Sequence, residues 1–212
     1  MLTWSGFRVL AWVGRLTLAA GLAVAASQAD TGAISTLLVF LLVSLAAIIL
    51  GRHFPAMFDF LFTLAALLNA ALWLWDDTFL FFYDEIVHVY TPFTIALALG
   101  FQTYYQRGAS LRGHPVFFAV IIASFGIAIG ALWEICEWAA GFAVAERIIG
   151  TLDDTIHDLI ADGFGAVCAA LLVAYPLQRF LDQDRARRQD VVGVGSAGAG
   201  HGTSDSGAAS AS

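Results

Sequence analysis

Residues 115–138 have the sequence PVFFAVIIASFGIAIGALWEICEW, an apolar run in which the first charged residue is Glu134. A transmembrane helix needs about 20 consecutive apolar residues, so this stretch is predicted to cross a membrane. Glu137 follows Glu134 at a spacing that places both carboxylates on one helix face. Because an anion at the edge of the hydrocarbon is costly unless something neutralises it, the stretch indicates both a membrane protein and a polar site within it.

The composition of the whole chain supports a membrane protein. Hydrophobic residues make up 59% of the 212 residues and charged residues 13%, which excludes an ordinary soluble domain. The net charge of −7 argues against nucleic acid as a partner. Cys136 and Cys168 both lie in apolar runs, so each is interpreted as a small buried hydrophobic residue rather than half of a structural disulfide.

Hydropathy predicts an all-α fold, a polytopic membrane bundle of about six transmembrane helices with short connections. The predicted spans are residues 9–26, 33–50, 57–75, 83–105, 115–138 and 155–178. We expect residues 1–182 to form this transmembrane domain, with the site in about 76–165. Residues 183–212 are rich in Gly, Ser and Ala, so they are predicted to form a disordered cytoplasmic tail.

The first span has a second interpretation. Arg8 and Arg15 precede an apolar run that ends in small residues, which resembles a secretory signal peptide cleaved near Ser27. The run from Val9 is also long enough to span the membrane if Arg15 reaches the interface or faces the bundle.

The arginines predict the orientation. With six spans, nine of the ten arginines fall on the side of the N-terminus, and Arg147 lies opposite. By the positive-inside rule both termini are cytoplasmic. Twelve of the seventeen acidic residues then lie in the outer half, which predicts an outward-facing acidic cluster.

Acidic residues and histidines recur at helical spacing in spans four, five and six. His88 can share a helix face with Asp84, four residues earlier, or with Glu85, three residues earlier. Three aspartates of the sixth span recur every four residues. The candidate metal ligands are Asp84, His88, Glu134, Glu137, Asp154, Asp158 and Asp162, with Glu85 and His157 as secondary candidates.

Capping is the structural alternative for some of these residues. Asp84, Asp153 and Asp154 are expected at the starts of helices, where carboxylates accept from free backbone N–H groups, and Thr151 with Asp154 indicates a variant of the capping box. The two glutamates of the fifth span are expected at the negative end of its dipole, where anions are disfavoured. His88 and the deeper aspartates lie too far inside their helices to cap, which leaves a purely structural polar network as their alternative.

Protons, Arg147 or a divalent metal ion are the three ways to neutralise such a cluster. Arg147 is one charge and sits beside Glu146. Carboxylate and imidazole donors suit Zn, Mn, Mg or Fe, and the spacing Glu85-x-x-His88 is similar to a motif of di-iron bundles. We therefore expect a divalent metal cofactor, while shared protons remain an alternative.

Small residues recur on one face of the fifth span. Gly126, Gly130 and Glu134 are spaced by four residues, and glycines at this spacing let neighbouring backbones approach. The Gly126/Gly130 face is therefore predicted to pack against another helix, either within the chain or in a homo-oligomer.

Three motifs in order resemble those of the YjdF-type inner membrane proteins and, more distantly, the VanZ-like family, over about residues 50–178. The motifs are Asp84-x-x-x-His88, Glu134-x-x-Glu137 and Asp154-x-x-x-Asp158-x-x-x-Asp162. VanZ-like proteins commonly have Gln and Asn where Glu137 and Asp162 stand here. The resemblance implies a bacterial cytoplasmic (inner) membrane protein. VanZ-like proteins are associated with low-level resistance to teicoplanin-type antibiotics, and the YjdF-type proteins are uncharacterised, so no reaction is implied.

The favoured function is a membrane protein whose outward-facing site binds a divalent metal and acts on, or holds, an envelope lipid or a lipid-linked headgroup. A proton- or cation-coupled transporter that uses the acids as a relay is the first alternative, and a scaffold without chemistry is the second. The sequence does not decide whether the protein is an enzyme. Transport would require polar residues further inward, where the chain offers Asp59, Asn69, Thr91, Thr94 and Ser124.

Overall fold

The computed structural model describes residues 4–50, 55–74, 81–111, 113–143, 151–177, 179 and 182–183. Over these residues the chain is helical and contains no strand, as predicted. The elements are α1 (Trp4–Ser27), α2 (Thr31–Leu50), α3 (Ala56–Leu74), α4 (Phe81–Leu111), α5 (Pro115–Ala143) and α6 (Leu152–Leu172), followed by a π-helical turn (Val173–Leu177). The predicted tail lies outside the described residues apart from Gln183 and stays a prediction.

Each of the six predicted spans corresponds to one helix. Five helices, α1, α2, α4, α5 and α6, are long and apolar enough to cross a membrane, and the described apolar part of α3, Ala56–Leu72, is shorter. Pro115 is the first residue of α5, a position where the missing N–H costs nothing. Pro92 lies inside α4. The fold is therefore a polytopic membrane helix bundle.

The ends of two helices lie beyond the predicted ends of their spans. Hydropathy placed the ends of the fourth and fifth spans at Tyr105 and Trp138, but α4 continues to Leu111 and α5 to Ala143. Glu134 and Glu137 are therefore inside the helix and not in its last turn, where the dipole acts. The expectation that the negative helix end disfavours them is wrong, because hydropathy reports the length of the apolar run and not the length of the helix.

The helices pack as two groups of three. In residues Met1–Ala174, which form one compact unit, α1, α2 and α3 contact one another, as do α4, α5 and α6, and α3 contacts α4. Helices α3 and α4 run antiparallel, since the hydroxyl of Tyr83 at the start of α4 donates to the carbonyl of Leu68 near the end of α3. This arrangement brings the starts of α4 and α6 to the same end of the bundle as the later half of α5.

Glycines bring α6 close to both of its neighbours. A Cβ on Gly165 would lie 2.9 Å from the carbonyl carbon of Val89 in α4, and a Cβ on Gly126 would lie 2.5 Å from the Cβ of Ala166 in α6. Neither position can accept a side chain without moving a helix. The Gly126/Gly130 face thus packs against α6 of the same chain, so this face is already covered and is not free to contact a second copy.

Candidate functional site

The imidazole of His88 lies at the centre of a carboxylate cluster formed by α4, α5 and α6. Asp84 and His88 share a face of α4 because they are four residues apart, and Asp158 and Asp162 share a face of α6 for the same reason. Close packing of α6 against both neighbours turns these faces toward one another and toward α5. The structure thus brings together five of the seven primary candidates, namely Asp84, His88, Glu134, Asp158 and Asp162.

The four carboxylates divide between the two nitrogens of the ring. Nε2 of His88 lies 3.6 Å from Oδ1 of Asp84 and 3.9 Å from Oδ1 of Asp158. Nδ1 lies 3.2 Å from Oδ1 of Asp162, within hydrogen-bonding distance, and 3.8 Å from Oε1 of Glu134. We call Asp84 and Asp158 the Nε2 pair, and Glu134 and Asp162 the Nδ1 pair. Each pair forms with His88 a group whose ligand atoms all lie within 4.8 Å of one another.

The Nδ1 pair is the more deeply buried of the two. The side chains of Asp162 and Glu134 are 3% and 7% exposed, whereas those of Asp158 and Asp84 are 8% and 29% exposed. Oδ2 of Asp162 and Oε1 of Glu134 are buried and have no hydrogen-bond partner. A buried carboxylate oxygen without a partner is costly, so the Nδ1 pair creates a demand for a proton or a cation.

The charges of the cluster do not balance among the described residues. Four carboxylates surround one imidazole, so an excess of negative charge persists even with His88 protonated. Arg147, which the sequence offered as a neutralising charge, and its neighbour Glu146 lie outside the described residues. A buried excess of charge must be offset by bound cations or protons.

Gly130 makes room for one member of the Nδ1 pair. The carboxylate of Asp162 lies directly against this glycine, and a Cβ built on Gly130 would lie 2.5 Å from Cγ of Asp162. A side chain there would displace the carboxylate. Gly130 therefore leaves space both for the carboxylate of Asp162 and for the close approach of α6.

A cavity of about 580 Å³ reaches the cluster from the middle of the bundle. His88 and Asp162 stand at its polar end together with Asn69 and Thr91, where Nδ2 of Asn69 donates to Oγ1 of Thr91 over 3.0 Å. The other walls are mostly apolar side chains of α2, α3, α4 and α5. A ligand in this cavity would meet the cluster on the side of the Nδ1 pair.

Residues 7–179 match a family model described as a predicted membrane protein, DUF2238. The chain belongs to this family. No curated protein and no solved structure matches the chain. The match spans α1 to α6 of this DUF2238 protein, so the His88 cluster lies wholly inside the family region. The family description gives a membrane protein and no activity, so the chemistry must be argued from the geometry.

Two of the primary candidates in the DUF2238 chain lie outside both ligand groups. Asp154 stands in the first turn of α6, where its N–H donates to Oγ1 of the N-cap residue Thr151 over 3.3 Å. The predicted Thr151 cap is therefore present. Glu137 is half-buried on α5, one turn from Glu134.

The secondary candidates, Glu85 and His157, lie outside both ligand groups. Glu85 lines a shallow apolar groove on the surface of α4 with Phe82, Ile86 and Phe93. His157 is exposed on α6. Spacing alone allowed either Asp84 or Glu85 to join His88, since positions three and four residues away both neighbour it; the packing of α6 selects Asp84.

Sequence reasoning missed a second buried polar cluster, at the opposite end of the bundle. Arg15 of α1 forms an ion pair with Asp59 of α3, and its Nη2 donates to the carbonyl of Ser44 in α2 over 2.9 Å. Thr63 extends this cluster, since its Oγ1 lies 3.4 Å from Oγ of Ser44. The signal was one arginine and one aspartate inside two different apolar spans, a pattern that predicts a pair.

Proposed function

We propose that this DUF2238 protein binds one divalent metal ion between His88 and the Nδ1 pair and uses it on the polar headgroup of a membrane lipid. The observation that carries the proposal is the pair of buried carboxylate oxygens, Oε1 of Glu134 and Oδ2 of Asp162, that have no hydrogen-bond partner on the same side of one imidazole. One cation there would satisfy both oxygens and offset two of the four negative charges.

The distances support a metal ion of ordinary size. Ligand atoms at about 2.0–2.2 Å from Zn²⁺ lie at most about 4.4 Å apart across the ion, and the group of His88, Glu134 and Asp162 has its ligand atoms within 4.8 Å. Side-chain shifts of a few tenths of an ångström would therefore close the site. One imidazole and two carboxylates without a thiolate favour Zn, Mn, Mg or Fe.

The Nε2 pair has a supporting role under this proposal. A metal-bound histidine usually donates its other ring N–H to a carboxylate, which fixes the tautomer and the ring orientation. With Nδ1 bound to metal, Nε2–H would point toward Asp84 and Asp158, now 3.6 and 3.9 Å away. We therefore assign these two aspartates to orienting the ring.

The cavity supports a lipid headgroup as the substrate class. It adjoins His88 and Asp162 and is otherwise walled mainly by apolar side chains, which suits an amphiphilic ligand. The metal would act as a Lewis acid on a phosphoryl or carbonyl oxygen, and a carboxylate that does not bind it would accept the proton of the attacking group.

The cellular setting is also part of the proposal. Nine of ten arginines on the side of the N-terminus favour cytoplasmic termini and an outward-facing centre. The resemblance of the three motifs to YjdF-type and VanZ-like proteins supports the cytoplasmic membrane of a bacterium and an envelope lipid.

The test is elemental analysis of detergent-purified protein. We expect about one divalent metal per wild-type chain and loss of most of it in Glu134→Gln and Asp162→Asn, because each removes a ligand charge. Glu85→Gln and Asp153→Asn are matched controls that make the same chemical changes at residues outside both ligand groups, and both should keep the metal. Metal-free wild-type protein after metal supplementation, or equal metal content in all four variants, would overturn the proposal.

A proton-coupled transporter is the second candidate, because the polar row continues inward from His88. The hydrogen-bonded Asn69 and Thr91 line the same cavity as His88. A relay predicts no metal in any variant. It also predicts that Glu134→Gln keeps or raises the melting temperature, since a neutral amide needs no proton in order to be buried. Under the metal proposal the same substitution should lower the melting temperature of the metal-loaded protein.

A further inference from the structure

The cavity beside His88 is built from four helices that converge without filling their common space. Its walls come from α2, α3, α4 and α5, with Asp162 as the contribution of α6. Small side chains leave the space open, among them Ala46, Ala47, Ala65 and Ala66. Four of the lining residues are polar or charged, and they lie together at the end of the cavity next to His88. The rest of the lining is mostly apolar, so the cavity is amphipathic along its length. The polar lining residues are Asn69, His88, Thr91 and Asp162.

The cavity also has a side that faces out of the bundle, between α2 and α5. In the described part of the chain, α2 packs against α1 and α3, whereas α5 packs against α4 and α6. Across the interval between α2 and α5, the rings of Phe40 and Trp133 approach with centroids 6.3 Å apart. Val39, Val43 and Leu132 line the cavity and are also more than half exposed. Residues that face both the cavity and the exterior mark an opening.

We infer that one hydrocarbon chain of a membrane lipid enters sideways between α2 and α5 and lies in this cavity with its headgroup at His88 and Asp162. This inference rests on the proposed function and names the route and the part of the substrate that the protein encloses. An opening in the middle of a membrane helix bundle faces hydrocarbon, so the molecules that reach it first are lipid chains.

The size of the cavity suits one chain. About 580 Å³ corresponds to roughly twenty groups the size of a water molecule, at about 30 Å³ each, which is the scale of one long acyl or prenyl chain. A water-soluble substrate would lose its hydration against walls that offer few hydrogen bonds. A lipid chain loses nothing of that kind on leaving the bilayer.

The energetics assign different roles to chain and headgroup. Lipid tails are as apolar as the cavity walls, so moving a chain from the bilayer into the cavity brings little hydrophobic gain. Affinity must then come from the contact between the headgroup and the His88 cluster. The position of the chain in the cavity determines which headgroup atoms contact the cluster. Chain length should therefore affect binding weakly and headgroup chemistry strongly.

Photo-crosslinking in vesicles tests the inference. The protein is reconstituted into vesicles of phosphatidylethanolamine and phosphatidylglycerol that contain a phosphatidylglycerol with a diazirine in one acyl chain. We expect crosslinks at Ala65 and Ala66, which line the cavity and which lipid at the outer surface cannot reach, since they are 7% and 3% exposed. Crosslinks confined to outward-facing residues such as Ile160 and Phe164 of α6 would overturn the inference.

A matched pair of variants separates entry from general lipid contact. Val43→Trp places a large ring in the opening and should lower the interior crosslinks severalfold. Val120→Trp makes the same change on α5 at a position outside the cavity lining and should leave them at the wild-type level; Val43 and Val120 are 55% and 57% exposed, so neither change enters the core. Equal interior crosslinking in both variants would also overturn the inference.

Metal analysis of the same vesicles keeps this inference distinct from the proposed function. Interior crosslinks in protein that binds no metal would contradict the metal centre and leave the chain site standing. Bound metal together with crosslinks restricted to the outer surface would contradict the chain site and leave the metal centre standing.

Discussion

Arg15 is a buried charged residue whose partners come from two other helices. It is 2% exposed; Nη1 donates to Oδ2 of Asp59 over 3.2 Å, and the guanidinium lies 5.4 Å from the ring centroid of Trp12. Asp59 retains a side-chain exposure of 24%. Arg15 therefore depends on Asp59 for its charge compensation more than Asp59 depends on Arg15, because the arginine has less access to solvent.

Breaking this pair from the aspartate side should destabilise the protein strongly. Asp59→Leu leaves a buried guanidinium without its counter-charge, and we expect a loss of about 3 kcal/mol in the free energy of unfolding. Arg15→Leu leaves a partly exposed carboxylate and should cost less. The double variant should recover part of the loss of Asp59→Leu, since no charge then remains unpaired.

Melting temperatures in detergent measure this prediction, with Arg8→Leu as the control because Arg8 is exposed on the same helix. A double variant less stable than Asp59→Leu would show that packing of the side chains, and not their pairing, stabilises the three helices.

At the level of single residues, much of the candidate site follows from the sequence. Helical spacing determines that Asp84 lies beside His88 and that Asp158 and Asp162 share a face, because these relations are local. Spacing does not determine which nitrogen of His88 each carboxylate meets, since that depends on how far α6 is turned against α4. It also does not decide between Asp84 and Glu85, which only the neighbouring helix distinguishes.

At the scale of elements, α6 provides two glycines with opposite surroundings. A Cβ on Gly165 would lie 3.1 Å from Cα of Val89 and still closer to its carbonyl group, whereas the nearest atom to a Cβ on Gly163 is Cγ1 of Ile127, 4.0 Å away. Both glycines lie inside the helix, where replacement by alanine favours the helical backbone by up to about 1 kcal/mol.

Gly165→Ala should therefore destabilise the protein and Gly163→Ala should not. The first forces α4 and α6 apart at a backbone contact, for which overpacking costs about 1–3 kcal/mol, and it should also lower the metal content because His88 and Asp162 separate. The second should keep or slightly raise the melting temperature. Equal melting temperatures and metal contents in the two variants would contradict the close approach of α4 and α6.

The sequence predicts that these helices exist, and it predicts their ends less well. Apolar length identifies the spans because the hydrocarbon is a fixed thickness. Beyond the membrane nothing in hydropathy ends a helix, so α4 runs past Tyr105 to Leu111 and α5 past Trp138 to Ala143. Thr151 was found as a cap because capping depends on a short local pattern.

At the scale of the whole molecule, the Arg15–Asp59 pair and the His88 cluster lie toward opposite ends of α3. Asp59 lies in the first turn of this helix and Asn69 ten residues later, which is about 15 Å along the axis. The His88 cluster adjoins the latter end. Under the proposed orientation the Arg15–Asp59 pair lies toward the cytoplasm and the His88 cluster toward the outside.

Reporter fusions test this orientation. A fusion at Gly108, near the end of α4, should report the cytoplasm, because Arg107 and Arg112 flank this position. A fusion at Ala145, outside the described residues after α5, should report the exterior, because one membrane span separates the two positions. The same answer from both positions would contradict a membrane-spanning α5. Exchanged answers would place the metal centre on the cytoplasmic side.

The cavity is a further feature that the sequence does not predict. Hydropathy and helical spacing describe each helix separately, whereas an interior space depends on how four helices fail to fill it. Asn69 and Thr91 were recognised as inward polar residues, but their hydrogen bond and their place beside His88 require the tertiary arrangement.

Pro92 gives α4 a mechanical property. Because proline has no N–H, the carbonyl of His88, four residues earlier, cannot receive its helical hydrogen bond. The loss of this bond lowers the resistance of α4 to bending at Pro92. Bending there would move His88 relative to Glu134 on α5 and Asp162 on α6. Bilayer thickness acts on the tilt of membrane helices. At the proposed metal site, the distances between ligands, and with them the affinity for a cation, would then respond to the elastic state of the membrane.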